Sequence, residues 1–139
     1  MTRSQQTTIR RLGLGDDDVV RKLAEREPQV GLLADEATIF LAAFDGTEPI
    51  GFVFGYELPR RHGVRSMLFI YELEVNEAHR RQGIATRLMT ELEQIARSRG
   101  IGEGFVLTEP DNEAANILYE SLGGERSDTV MWDYLYADS

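Results

Sequence analysis

Two carboxylates, Glu72 and Glu74, stand two positions apart in the apolar run Met67 to Val75. In an extended strand that spacing puts both side chains on one face. Apolar neighbours disfavour the ionised form and raise a carboxylate's pKa toward neutrality, where a general base is most effective. Just beyond lies Arg80-Arg81-Gln82-Gly83-Ile84-Ala85. The run before it is strand-like and the run after it has helical spacing, so it reads as the turn from a strand into a helix. A glycine there lets the backbone approach a ligand closely. The first N–H groups of a helix lack intrahelical partners and carry partial positive charge, which suits a phosphate. Arginine adds forked, charge-assisted hydrogen bonds. The residues therefore describe an anion site for something phosphorylated beside a strand carrying candidate bases. The plainer readings are a solvated, Arg-rich helix start and two carboxylates on the outer face of a half-exposed strand.

Other chemistries are narrowed by residue type. There are no cysteines, so no disulfide, no thiolate nucleophile and no acyl-cysteine intermediate is available. The two histidines, His62 and His79, lack the spacing of paired metal ligands, and no metal is expected. The formal charge of −9 opposes nucleic-acid binding, which needs a basic face. It suits a cationic partner, and serves solubility equally well.

The elements that must position these residues follow from pattern. Thr7 to Leu12 alternates and predicts a first strand. Asp16, Asp17 and Asp18 open a helix reaching about Glu27, where Pro28 ends it. Val30 to Glu36 reads as a short second helix or a loop. Thr38 to Phe44, the Asp45-Gly46 turn and Ile50 to Leu58 predict a hairpin. With Met67 to Val75 it makes an antiparallel meander. Ile84, Leu88, Met89, Leu92, Ile95 and Ala96 form one helical stripe, ended by Gly100. Gly104 to Thr108 is the fifth strand, parallel to the fourth through this crossover. Ligands in open sheets of this kind sit at the carboxyl ends of strands, where the Arg-Arg-Gln-Gly turn falls. Pro110-Asp111-Asn112 opens a last helix with Asn116 and Tyr119, and Gly123-Gly124 closes it. By spacing alone Tyr119 is a packing residue and Asn112 a cap. Thr129 to Tyr136 predicts a final antiparallel strand.

At 139 residues one domain is expected, spanning 1–139. No apolar run is long enough to span a bilayer, so no membrane association is expected. Met1 to Thr8 is polar and lacks the apolar core of a signal peptide, which predicts a cytoplasmic protein.

Arg80-x-x-Gly83-x-Ala85, set between that strand and helix, resembles the signature of the GNAT superfamily of acyl-CoA-dependent N-acyltransferases. The stretch Ile70 to Thr86 is similar to the aminoglycoside 3-N-acetyltransferases within it, which read Tyr-Asp-Leu-Ala-Val and then Glu-His-Arg-Arg-Gln-Gly-Ile-Ala-Thr. The likeness covers about residues 38 to 123, including Phe40 to Asp45, Tyr56 to Pro59, Leu118-Tyr119 and Leu122-Gly123. Here Glu72 replaces an aspartate and Glu74 an alanine, and the amino-terminal region is shorter. The resemblance implies a single-domain α/β GNAT fold. Its sheet is mixed and mostly antiparallel, with six to seven strands, a splayed parallel pair of strands four and five, and about four helices.

It also implies roles. Acetyl-CoA would be the co-substrate, its pyrophosphate cradled by Arg80, Arg81, Gln82, Gly83, Ile84, Ala85 and Thr86. Backbone groups of Leu73 and Val75 would meet the thioester and pantetheine, and a backbone N–H there would serve as oxyanion donor. Asn112 and Asn116 would touch the pantetheine or phosphates. Glu72, or Glu74, would take the amine's proton directly or through water, and Tyr119 would protonate the leaving thiolate. Asp35, Glu36, Glu57 and Glu109 would help bind a cationic small-molecule amine, with an aminoglycoside the first reading. Alternatives are another amine (a polyamine, an amino acid or a protein N-terminus) and a non-catalytic acyl-CoA-binding module. The resemblance also allows a homodimer, with no interface marked in the sequence.

Overall fold

Apolar alternation and hairpin turns build the first four strands of one sheet. The computed structural model describes residues 7–24, 26–29 and 31–137. Residues 1–6 of the polar N-terminus, and Glu25 and Val30 of the expected amino-terminal helices, lie outside the described residues. The elements are β1 (Thr7–Arg11), α1 (Asp17–Ala24), β2 (Thr38–Asp45), β3 (Glu48–Leu58), β4 (Met67–Val75), α2 (Ile84–Ser98), β5 (Glu103–Val106) and α3 (Glu113–Ser121). A single 3-10 turn, Glu77–His79, lies between β4 and α2. The sheet order is β1-β2-β3-β4-β5. Its first three pairings are antiparallel, and β4–β5 is parallel.

The chain divides into two compact units, Met1–Leu107 and Thr108–Ser139. The first contains the whole sheet. On one face the α2 stripe, with Ile84, Leu88 and Leu92 almost fully buried, packs on Ile39, Leu41, Ile50, Val53 and Leu68. Withdrawing each such side chain from water contributes about 1.5–3 kcal/mol. On the other face Val20 of α1 and Leu12 pack on Phe40, Phe44, Phe52 and Phe54, with Leu32 and Leu33 at the margin. Arg87 Nη1 donates to the Thr7 carbonyl at 3.2 Å, tying α2 to β1.

In the second unit, α3 begins at Asn112, whose Oδ1 accepts from the Ala115 N–H at 3.2 Å. It ends at Gly123, with φ of 92°. A Cβ on Gly124 would stand 2.9 Å from the Tyr119 carbonyl oxygen. That closeness requires glycine.

Two expectations on element number are corrected. The described residues hold five strands and three α-helices, not six to seven strands and about four helices. Residues 31–36 form turns, with Leu32 N–H donating to Gln29 and Ala34 N–H to Gly31, and no helix. Among the described residues Thr129 to Tyr136 forms no strand, which corrects the expected final antiparallel strand. Alternation lets a segment face two sides, but only a neighbouring ladder makes it a strand.

Candidate functional site

Pairing between β4 and β5 runs from Met67↔Glu103 to Ile70↔Val106 and stops there. β4 continues to Val75. Residues 71–75 therefore have no β5 partner among the described residues. β5 itself ends at Val106, so β4 outruns it at the carboxyl end of the parallel pair, the end at which ligands bind in open sheets of this kind.

The same stretch is bulged. Phe54 pairs with Glu72 and Gly55 with Ile70, so Tyr71 is the residue the register skips. A bulge adds a residue to one strand and re-aims its side chains. Gly55 permits it, because a Cβ there would sit 2.5 Å from the Phe69 carbonyl oxygen. As a result Tyr71 and Glu72, though adjacent, both lean toward Phe54. Glu72 is its cross-strand partner, and the Tyr71 ring lies 5.4 Å from the Phe54 ring. Glu74, opposite Phe52, shares that face, as the two-residue spacing predicts.

The Glu72 side chain makes no hydrogen bond or ion pair among the described residues. Its carboxyl pKa is raised, first by burial and then by the charge of Glu74. Tyr56, on β3 beside this pair, has its phenol pKa raised by burial first, and then by Tyr71, Glu72 and Asp35. Asp35 is therefore within electrostatic reach of the same spot. Its Oδ1 is fixed by the Ala37 N–H at 2.9 Å, in the turn that leads into β2.

After β4 the chain passes through the 3-10 turn to Arg80, whose Nε donates back to the Val75 carbonyl at 3.1 Å. Arg81 has a φ of 65° and Gly83 a φ of 78°. Two left-handed residues so close together make a concave run of backbone amides of the kind that holds anions. For an arginine the conformation is strained, and such strain gathers at functional sites. The first intrahelical bond of α2 is Arg87 N–H to the Gly83 carbonyl. The N–H groups of Ile84, Ala85 and Thr86 have no protein partner among the described residues. Arg80, Arg81, Gln82 and Gly83 are exposed.

The structure brings Glu72, Glu74, Leu73 and Val75 onto the freed length of β4, with the Arg80–Thr86 turn following. Asp35 joins the Glu72 face. Glu57 does not. It alternates to the opposite face from Tyr56 and is held by Arg99, whose Nε donates to its carboxylate at 2.9 Å. Arg99 Nη2 also donates to the Glu36 carbonyl at 3.2 Å. Glu57, expected on the acceptor side, is thus engaged with Arg99.

Glu109, Asn112, Asn116 and Tyr119 belong to the second unit. Within it, Asn112 caps α3, and Asn116 Nδ2 donates to the carbonyls of Glu109 and Asn112 at 3.1 and 2.8 Å. The half-buried Tyr119 phenol has its pKa raised by desolvation, so it keeps its proton at neutral pH. Among the described residues no group of side chains is arranged to hold a metal, and no helix is long and apolar enough to cross a membrane.

Sequence reasoning gave no role to Tyr56 and Tyr71, whose rings the fold brings together beside Glu72. A signal for Tyr71 was present in the glycine at position 55, which leaves room for a bulge on the neighbouring strand.

A family model described as the acetyltransferase (GNAT) family matches residues 8–124. The L-2,4-diaminobutyric acid acetyltransferase of Methylotuvimicrobium alcaliphilum is 34% identical over 98 residues, covering 67% of this chain and 55% of its own length. The chain spans about half the length of the curated relatives it matches. Among solved structures, an aminoglycoside acetyltransferase from an uncultured soil metagenomic sample superposes with a TM-score of 0.84 at 27% identity, over 99% of this chain and 100% of that one. Another from such a sample, in complex with sisomicin, gives a TM-score of 0.88 at 20% identity, over 99% and 100%.

Proposed function

The chain belongs to the GNAT acetyltransferase family, and from that premise we propose that it moves the acetyl group of acetyl-CoA to a primary amine of a small polyamine. An aminoglycoside is the first choice of acceptor. One observation carries this reading: Glu72, with no side-chain partner and a raised pKa, lies on the length of β4 beyond the β5 pairing, one turn before the exposed Arg80–Gly83 corner. The names of the relatives support the acceptor class, since diaminobutyrate and aminoglycosides both carry more than one amino group.

In the proposed reaction the two substrates meet in a ternary complex and no acyl-enzyme forms. The attacking amine is neutral, and Glu72 accepts, directly or through water, the one proton its nitrogen loses as it adds to the thioester carbonyl; solvent later carries that proton back to the Tyr119 phenolate. A backbone N–H of Leu73 or Val75 holds the oxyanion. The C–S bond then breaks, and the thiolate takes its proton from Tyr119, giving amide and free thiol. The amides of Gly83 to Thr86, with Arg80, Arg81 and Gln82, hold the pyrophosphate. Asn112 and Asn116 supply further coenzyme contacts, and Asp35, Glu36 and Glu109 are acidic candidates for the acceptor side. Glu74 tunes Glu72 rather than replacing it. The reading places the enzyme in the cytoplasm and requires no metal.

Release of free thiol from acetyl-CoA tests this, with kanamycin, 2,4-diaminobutyrate, spermidine and a basic peptide offered in parallel. Turnover with kanamycin supports the first choice. Turnover with only one of the others moves the acceptor. Tight coenzyme binding with no turnover on any amine would leave a binding module.

Two further outcomes are expected. Glu74→Gln removes the negative charge that helps hold the Glu72 pKa up. The acidic limb of kcat against pH should therefore move to lower pH, and an unmoved limb would detach Glu74 from the base. Arg81→Gly removes a guanidinium but relaxes the strained left-handed backbone. Its Tm should hold or rise, while the Kd for coenzyme A weakens by about tenfold, as for one lost charge-assisted bond.

A further inference from the structure

Across the face that carries Glu72 runs a continuous row of rings. Phe54 stands 5.7 Å from Tyr56 and 5.4 Å from Tyr71. Tyr56 and Tyr71 meet edge-to-face at 5.9 Å, and Phe69 meets Tyr71 at 5.5 Å and 86°. The inner end of the row is core, with Phe54 buried. The outer end is open, with Tyr71 53% exposed.

Packing alone does not account for Tyr71. It is the extra residue of the bulge, and a regular strand would turn it to the other face. Three rings brace it, so its orientation is already settled before any ligand arrives. An exposed, immobilised ring beside carboxylates suits a cation, because the ring face is negative. Glu72 is the next residue along the bulge, and Asp35, held by the Ala37 N–H, lies within electrostatic reach of Tyr56, whose ring meets Tyr71 edge-to-face. Among the described residues neither carboxylate is paired with an arginine or lysine side chain. The guanidinium of Arg99 is engaged with Glu57 on the opposite face.

The nitrogen that attacks a thioester must be neutral, so it is not the group a cation seat would hold. A second amine of the same molecule keeps its proton and is. We propose that Tyr71, with Tyr56 and Asp35, seats a second, protonated ammonium of the acceptor while a neighbouring amine reacts at Glu72. Acceptors are thereby selected as diamines or polyamines over monoamines. The proposal rests on the acetyl-transfer reading above and deepens it. Tyr71 is a specificity residue, touching the part of the acceptor that does not react.

Calorimetric binding separates the two readings, because it does not depend on turnover. Kanamycin and cyclohexylamine are titrated into the full chain, wild type and variants, at one pH. For kanamycin, Tyr71→Leu should weaken Kd by about tenfold and Tyr71→Phe by less than twofold, since phenylalanine keeps the ring face. Cyclohexylamine should bind weakly and alike to all three. Coenzyme A binding and the circular dichroism spectrum of each variant report an intact fold. Equal kanamycin affinity in wild type and Tyr71→Leu overturns the seat. So does Tyr71→Phe binding as poorly as Tyr71→Leu, or an equal loss for cyclohexylamine. If kanamycin binding behaves as expected but no amine releases thiol, the seat stands and the transferase reading falls.

Discussion

Glu72→Gln is expected to lower kcat by about 10²- to 10⁴-fold, the usual contribution of a positioned general base. Coenzyme binding should be retained. Stability should move the other way. Because the Glu72 pKa is raised in the folded state, the folded protein holds that proton more tightly than the unfolded chain does. The stabilisation this provides is complete below the unfolded carboxyl pKa and is lost as pH rises through the folded value. At neutral pH the ionised carboxylate therefore opposes folding, and Glu72→Gln should keep or raise Tm. Loss of rate with gain of Tm marks a residue retained for chemistry. Near-normal turnover would remove Glu72 from the mechanism, and a falling Tm would show that it braces the fold.

Gly55→Ala is expected to damage fold and activity together. Its new Cβ would come within 2.5 Å of the Phe69 carbonyl oxygen and 3.1 Å of the Ile70 Cα, both backbone atoms that cannot swing aside. Relief requires β3 and β4 to separate or the bulge to slip. Such overpacking costs about 1–3 kcal/mol, several degrees of Tm. Slippage by one residue would also turn Tyr71 and Glu72 to different faces. Thermal melts and the thiol-release assay on one preparation check both effects. A variant with unchanged Tm and kcat would show that the bulge does not depend on this glycine.

Some of this was legible before any coordinates. The fourth strand runs from Met67 to Val75, as its apolar pattern predicts, and the parallel pairing of β4 and β5 follows from the intervening helix. The turn at Asp45-Gly46 and the stop at Gly100 were equally plain, because glycine at positive φ punctuates the chain locally. What escaped was long-range. Whether Tyr71 and Glu72 share a face depends on which residue β3 places opposite them, and periodicity within β4 carries no information on that. Glu57 was gathered with the other acidic residues by charge alone. Alternation along Phe52, Phe54 and Tyr56 already put it on the far face, and its partner Arg99 lies forty-two positions away. Thr129 to Tyr136 alternates as a strand would, but alternation is a property of one segment and a ladder belongs to two.

The way β5 joins the sheet has a consequence for the order of assembly. β1 to β4 form three antiparallel pairings between neighbours in sequence. β5 reaches β4 only after the whole of α2, and it is held there by four register pairs. Chain entropy must be spent on that excursion before any contact rewards it. β1 meets β2 across an excursion of the same order, Thr7↔Asp45 against Met67↔Glu103, so both edge seams form after the β2–β3–β4 meander, and the β4–β5 seam has one register pair fewer to hold it. A coenzyme threaded into it would act as a missing rung, raising global stability by about 2.7 kcal/mol at a hundredfold excess over its Kd.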